Sequence, residues 1–135
     1  MTKPVIIIGG GLAGLYCAYK LQKLNIQFLL LEAKSLLGGR IFAAQSPINN
    51  DVSFDLGPTW IFPHQPKIQA LVKSLNLSIF EQYNKGDVLY QAPNSKQPQQ
   101  IAGAGDMQLF RLKHGMNTLI TALYEQLNPD SMLLE

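Results

Sequence analysis

The chain has 135 residues, of which 47% are hydrophobic and 15% charged, and its formal net charge is +2. This length and apolar content provide for one ordinary core and exclude a disordered chain, while the small charge argues against a nucleic-acid-binding protein. Because Cys17 is the only cysteine and lies far along the sequence from His64 and His114, neither an internal disulfide nor a metal site is expected.

The first apolar stretch of the chain resembles a membrane-directing segment only superficially. It runs from Val5 to Tyr19, which is 15 residues, whereas a helix needs ~20 residues to cross a bilayer. The triplet Gly9-Gly10-Gly11 interrupts it, and no A-x-A cleavage pattern follows. We therefore expect a cytoplasmic protein without a membrane partner.

Residues 5–32 predict a strand, a helix and a second strand in succession. Val5–Ile8 is a β-branched apolar run without polar alternation, which is typical of a parallel strand buried on both faces. An amphipathic helical pattern begins at Leu12 and includes Cys17, so we expect a buried thiol in the core. Phe28–Leu31 is a second apolar run and ends at Glu32. Together these elements predict a Rossmann-like βαβ unit of the α/β class.

Two more helices are predicted further along the chain. Pro66 is favourable in a first helical turn, and apolar residues recur after it at i, i+3, i+4 and i+7. The same spacing recurs from Met116 onward. Each of the predicted helices ends in Leu-Asn, and asparagine is favoured at the left-handed position that follows a helix. The asparagines expected there are Asn25, Asn76 and Asn128.

Extended structure is predicted between these two helices and at the end of the chain. Val88–Tyr90 and Gln100–Ala102 are expected to form an exposed hairpin around Pro93-Asn94-Ser95. Ser131–Glu135 has the pattern of the first residues of a strand, which indicates a fragment of a longer chain. The alternative is that Leu134-Glu135 is the junction to a purification tag.

The glycines after the first strand have the spacing of a dinucleotide-binding loop. In Gly9-x-Gly11-x-x-Gly14 the first glycine permits a tight turn, the second lets the backbone approach a pyrophosphate, and the third lets helix and strand pack closely. Glu32 lies 18 positions beyond Gly14 (32 − 14), where its carboxylate can accept from a ribose diol and would repel the 2′-phosphate of NADP. The alternative is that the glycines serve turns only.

A second glycine pair, in Gly38-Gly39-Arg40, is not needed by a simple NAD-binding domain. Its glycines allow a tight turn, and Arg40 can place a guanidinium against a pyrophosphate. Taken alone, the triplet is more typical of a surface turn.

A succession of motifs resembles the N-terminal part of the flavin-containing amine oxidase family. The motifs are the glycine-rich stretch Val5–Leu15, the segment Leu30–Ala33 around the glutamate, Gly38–Arg40, and the Asp-Leu-Gly-Pro-Thr-Trp segment within Phe54–Trp60. Leu112–Ile120 also resembles the Gly-Gly-Met helix start of the family, with histidine in place of the first glycine. Monoamine oxidases, protoporphyrinogen oxidases and phytoene desaturases share the first two motifs, so these do not fix the substrate.

The resemblance implies a glutathione-reductase-type FAD-binding fold within a larger two-domain flavoenzyme. Residues 1–63 would form the FAD-binding segment, and residues 64–135 would begin the substrate-side segment. Taken alone, Trp60 is equally well explained as a core aromatic. The FAD-binding residues that the resemblance implies are Gly9, Gly11, Ala13 and Gly14 at the pyrophosphate, Glu32 and Ala33 at the adenosine ribose, Gly39 and Arg40 at the diphosphate and ribityl side, and Gly57, Pro58, Thr59 and Trp60 near the isoalloxazine.

The activity that the resemblance implies is oxidation of a small-molecule amine. FAD would take a hydride from the C–H next to nitrogen, and the imine would be hydrolysed. In the family the lysine near the flavin and the aromatic residues around the amine belong to the C-terminal part, so no catalytic residue is assigned and the chain alone is expected to be inactive. The alternatives are an NAD-dependent dehydrogenase domain and a non-catalytic dinucleotide-binding module.

Overall fold

The computed structural model describes residues 3–49 and 52–135. Its strands are short, and its helices have eight to twelve residues. In chain order the elements are β1 (Val5–Ile8), α1 (Leu12–Lys23), β2 (Phe28–Glu32), β3 (Ala43–Gln45), β4 (Ser53–Asp55), α2 (Pro66–Ser74), β5 (Ile79–Glu81), β6 (Val88–Tyr90), β7 (Gln99–Ile101), β8 (Phe110–Leu112), α3 (Asn117–Tyr124), a 3-10 turn (Pro129–Ser131) and β9 (Met132–Leu134).

A parallel sheet in the order β1-β2-β9 forms the centre of the fold. Val5 is opposite Phe28, and Leu30 is opposite Met132, with α1 connecting the first two strands. This topology confirms the Rossmann-like α/β class and the strand expected near the end of the chain. Helix α3 packs on α1, and β9 extends the sheet, so the end of the chain returns to the unit with which it begins. The division at residues 63 and 64 stays a prediction.

The core lies on one face of this sheet. Ile7, Leu30 and Met132 are neighbours across the three strands, and all three are buried together with the inner residues of α1 and α3. On the other face, Ile6 is 52% exposed and Ile8 87% exposed. The prediction that the first strand is buried on both faces is therefore wrong, because the helices of the described chain cover only one of them.

The buried stripe of α1 does not include its cysteine. Leu15, Ala18 and Tyr19 face the core, whereas Cys17 lies between them on the exposed side of the helix. The prediction of a buried thiol is wrong because one residue advances a helix by about 100°, which moves Cys17 off the face that its neighbours share.

Two of the three predicted helix-ending asparagines have the expected conformation. Asn25 and Asn76 both have φ of +55°, in the left-handed region. Asn128 has an extended backbone with φ of −69°, and its side chain accepts a hydrogen bond from the Asp130 amide. The prediction for Asn128 is wrong because Pro129 follows it, and a residue before proline is restricted to extended conformations.

The remaining strands form antiparallel pairs outside the central sheet. Strands β6 and β7 form the predicted hairpin, and all of their residues are exposed. Sequence patterns did not predict the pairing of β3 with β4 or of β5 with β8. None of the helices in residues 3–49 and 52–135 combines the length and apolar character needed to cross a membrane.

Candidate functional site

The glycine loop begins where β1 ends, at the carboxyl edge of the sheet. Gly9 has φ of +101°, which the tight turn into α1 requires and which a side chain would strain. A Cβ added at Gly14 would lie 1.9 Å from the carbonyl oxygen of Gly9, so only glycine allows this close contact between helix and loop. At Gly11 an added Cβ would lie 3.9 Å from the Gly38 carbonyl oxygen and 4.0 Å from the Gly39 Cα, which are ordinary contact distances, so this position packs against the second glycine pair without a clash.

The N-terminus of α1 is left without a capping side chain. Gly11 is the N-cap residue, and the first turn carries no acidic residue. Ala13, in the same turn, is exposed. The first amides of a helix have no partner within the helix and lie at the positive end of its dipole. This end of α1 therefore fits the negative charge of a phosphate.

Glu32 connects the end of β2 to the glycine loop. Its Oε2 accepts a hydrogen bond of 2.6 Å from the backbone amide of Gly10, and its Oε1 accepts one of 3.1 Å from the backbone amide of Lys34. A Cβ at Gly10 would lie 2.3 Å from the side chain of Leu37 and 3.2 Å from that of Glu32, so a larger residue here would require the flexible end of Leu37 to move. Ala33, the next residue, is exposed. Sequence analysis did not single out Gly10, because it occupies a free position of the motif.

The second glycine pair packs against the first loop. The Gly38 amide donates a hydrogen bond of 2.9 Å to the carbonyl of Gly10, and Gly38 also forms a parallel bridge with Gly11. Gly38 and Gly39 have φ of +111° and +59°, respectively, and Gly38 is buried. The triplet is therefore more than a surface turn. It presents the exposed Arg40 beside the glycine loop.

The Asp-Leu-Gly-Pro-Thr-Trp segment continues this arrangement. A Cβ at Gly57 would lie 2.1 Å from the carbonyl oxygen of Arg40, so the two motifs meet backbone to backbone. Thr59 donates its hydroxyl to the carbonyl of Gly57 over 3.2 Å. These contacts place residues of three separate motifs in one continuous cradle.

Asp55 ties the same segment to the start of α3. Its carboxylate is largely buried, accepts a hydrogen bond of 2.8 Å from the Met116 amide, and lies 3.6 Å from the guanidinium of Arg111. A Cβ at Gly115 would lie 2.9 Å from Asp55 Oδ1. His114 has φ of +68°, the left-handed conformation that suits glycine at the corresponding position of the family's motif. Both segments, Phe54–Trp60 and Leu112–Ile120, were recognised as motifs in the sequence, but their contact was not predicted.

A mostly apolar cleft of about 500 Å³ borders the cradle. Its lining includes Leu12 at the start of α1, Ile41 after the glycine-arginine triplet, and Met116 before α3. Pro58 and Trp60 form another part of its wall, so two of the four residues predicted near a flavin ring face it. Such a cleft can accept a flat apolar group next to the N-terminus of α1.

A second cleft, of about 530 Å³, lies at the opposite edge of the sheet, where Gln22 and Asn128 are among its lining residues. It contains none of the predicted site residues. Within residues 3–49 and 52–135, no three histidine, cysteine or acidic side chains gather as a metal site would require.

The chain is similar in sequence to a known domain family and to known proteins. A family model described as an NAD(P)-binding Rossmann-like domain matches residues 7–75. Putrescine oxidase of Kocuria rosea is 33% identical over 94 residues, which is 70% of this chain and 19% of that protein. Flavin-containing amine oxidase A of Sus scrofa is 36% identical over 78 residues, covering 57% of this chain and 14% of that protein. The chain thus spans less than a fifth of these relatives.

Solved structures give the same likeness. A putrescine oxidase bound to putrescine matches 78% of this chain and 22% of its own, with a TM-score of 0.62 and 27% identity. A triple mutant of putrescine oxidase matches 98% of this chain and 50% of its own with a TM-score of 0.79, and its 15% identity supports the fold alone.

Proposed function

This chain belongs to the NAD(P)-binding Rossmann-like domain family, and we propose that it forms the FAD-binding part of a flavin-dependent oxidoreductase that acts on amines. The curated relatives confirm the resemblance to flavin-containing amine oxidases that the motifs indicated. The observation that carries the proposal is the packing of Gly38-Gly39-Arg40 and Gly57 onto the glycine loop, because a simple NAD-binding domain does not need these segments. Since the relatives are much longer, the activity is proposed for a longer protein.

The cradle fits an FAD molecule that runs from the glycine loop into the apolar cleft. The backbone at Gly11, which carries no side chain, and the uncapped start of α1 suit its pyrophosphate. The Glu32 carboxylate has enough lone pairs to hold the Gly10 amide and a ribose diol together. The full proposed contact set is Gly9, Gly11, Ala13, Gly14, Glu32, Ala33, Gly39, Arg40, Gly57, Pro58, Thr59 and Trp60.

The chemistry that FAD supplies when bound is acceptance of a hydride from the C–H next to an amine nitrogen, after which the imine is hydrolysed. This chain's own part is binding and orientation. The α1 terminus and Arg40 balance the diphosphate charge, and the apolar cleft residues exclude water from the flat ring. None of these side chains acts as an acid or base, so we propose that the 135 residues alone have no turnover.

Fluorescence of Trp60, the only tryptophan, tests the proposal. We expect saturable quenching by FAD and none by NAD, with FAD affinity falling roughly 10–100-fold in Glu32→Ala because charged hydrogen bonds to the ribose are lost. Cys17→Ala, on the exposed side of α1, is the control and should bind as the wild type does. Tight NAD binding without FAD binding would support a dehydrogenase domain instead, and no response to either would support a module without this cofactor.

A further inference from the structure

Trp60 has a fixed indole although much of its surface faces solvent. Trp60 as a residue is 47% exposed, yet its Nε1–H donates a hydrogen bond of 2.6 Å to Oε1 of Gln82. An indole this exposed can satisfy its N–H with water. A protein acceptor instead restricts the ring to one orientation.

The backbone holds both partners of this hydrogen bond in place. Ile61, next to Trp60, exchanges hydrogen bonds of 2.8 and 2.9 Å with Phe110. Gln82, which follows β5, donates its amide to the carbonyl of Leu109 over 2.8 Å, and β5 itself pairs with β8. The segments carrying Trp60 and Gln82 are therefore attached to the same strand, so the distance between them is set by the backbone.

Gln82 is not among the residues that line the cleft. The lining includes Trp60 and its neighbours Pro58 and Ile61, whereas Gln82 contacts the indole from outside. Its side chain therefore acts on a ligand only through the ring that it orients.

We propose that Gln82 is a positioning residue that holds the Trp60 indole as a rigid wall of the apolar cleft, against which a planar aromatic ring stacks. Resting on the proposed function, that ring is the isoalloxazine of FAD. Stacking on an aromatic side chain needs a defined offset and angle between the rings, and a fixed indole supplies both before the ligand arrives.

The test compares FAD with ADP, which has the adenosine and diphosphate groups but no isoalloxazine. In Gln82→Leu we expect roughly 10-fold weaker FAD binding because preorganised stacking is lost, with ADP binding unchanged. Time-resolved anisotropy of Trp60 should decay faster, since the indole is released. Gln82→Glu keeps an acceptor for the N–H and should restore both properties, and Gln108→Leu, on an exposed neighbouring residue, should change neither.

Three results would contradict the proposal. Unchanged FAD affinity and unchanged anisotropy in Gln82→Leu would show that Gln82 does not orient the ring. Equal weakening of FAD and ADP would show that Gln82 does not act through a ring stacked on Trp60, because ADP has no isoalloxazine. If the wild type bound neither ligand, the proposed function and the ligand assignment would both fail, and unchanged anisotropy in Gln82→Leu would then contradict the positioning role as well.

Discussion

Gly11, the N-cap residue of α1, and Gly14, in its first turn, differ in the room that they leave for a side chain. We expect Gly14→Ala to lower the free energy of unfolding by about 1–3 kcal/mol, because its Cβ would collide with the Gly9 carbonyl and force the backbone apart. Gly11→Ala should change stability by less than about 0.5 kcal/mol, because its Cβ would meet Gly38 and Gly39 only at ordinary contact distances. It should still weaken FAD binding, because the backbone at this position must approach the pyrophosphate closely. Urea unfolding and FAD titration of both variants measure this. Equal loss of stability in the two variants would contradict the different roles of Gly11 and Gly14.

His114 carries a conformational cost that glycine would remove. A left-handed backbone costs a residue with a side chain about 1 kcal/mol or more, part of which is offset because glycine is more flexible when unfolded. We expect His114→Gly to raise the free energy of unfolding by about 0.5 kcal/mol in urea denaturation. His64→Gly is the control, because His64 also lies in a turn but has no positive φ, and it should lower stability. A loss of stability in His114→Gly would mean that the imidazole makes a compensating contact.

The residues found from the sequence are those whose role depends on neighbours close along the chain. Gly9 and Gly14 were predicted for a turn and a close contact within six positions, and the structure has both. Asp55 and Gln82 were missed because their partners, Met116 and Trp60, lie 61 and 22 positions away. No spacing rule links such pairs before the fold is known.

The junction between β4 and α3 is stabilised by one buried carboxylate. In Asp55→Ala the Met116 amide loses its acceptor, and we expect a loss of about 1–3 kcal/mol of unfolding free energy. Asp55→Asn keeps an acceptor oxygen and should lose less. Arg111→Ala should cost no more than about 1 kcal/mol, because this guanidinium is partly exposed and its ion pair is screened. Urea midpoints rank the three variants, and a larger effect of Arg111→Ala than of Asp55→Ala would contradict the account.

The stability of the β6–β7 hairpin is expected to depend on pH. Hydrogen bonds from the Gln100 side chain and the Gly103 amide lower the pKa of the Asp87 carboxyl. Because the pKa in the folded state is the lower one, this stabilisation is complete above the ordinary aspartate pKa. It is lost as pH falls through the folded value. In Gln100→Leu, NMR titration should find the Asp87 pKa raised, whereas Gln99→Leu, the neighbouring control, should leave it unchanged; no rise in Gln100→Leu would contradict this cause.

Helices and strands were predictable where they are long or where a residue such as proline marks their start. The three helices carry apolar residues at helical spacing, and Pro66 correctly predicted the start of α2. The prediction of a left-handed backbone at Asn128 was wrong, because the steric restriction that the following proline imposes overrides the preference of asparagine for helix ends. Strands β3, β4, β5 and β8 have three residues each and, unlike β6 and β9, none is wholly apolar, so neither an apolar run nor an alternating pattern indicates them.

For the whole molecule, sheet order and motif order determine the location of the site. The carboxyl ends of β1 and β2 bring the glycine loop and Glu32 together, and the chain then returns through Gly38 and Gly57 to the same edge. The sequence predicted this edge through its βαβ pattern. It did not predict the exposed outer face of β1, because an apolar run does not indicate which of its faces a helix will cover.

Two clefts of similar volume at opposite edges of the sheet allow a direct test of where FAD binds. The measurement is an amide and indole NMR titration of the ¹⁵N-labelled chain with FAD. We expect saturable shifts at Gly9 and Gly39 and at the indole N–H of Trp60. Shifts confined to the cleft at Gln22 and Asn128, or no shifts at saturating FAD, would contradict the proposed FAD site.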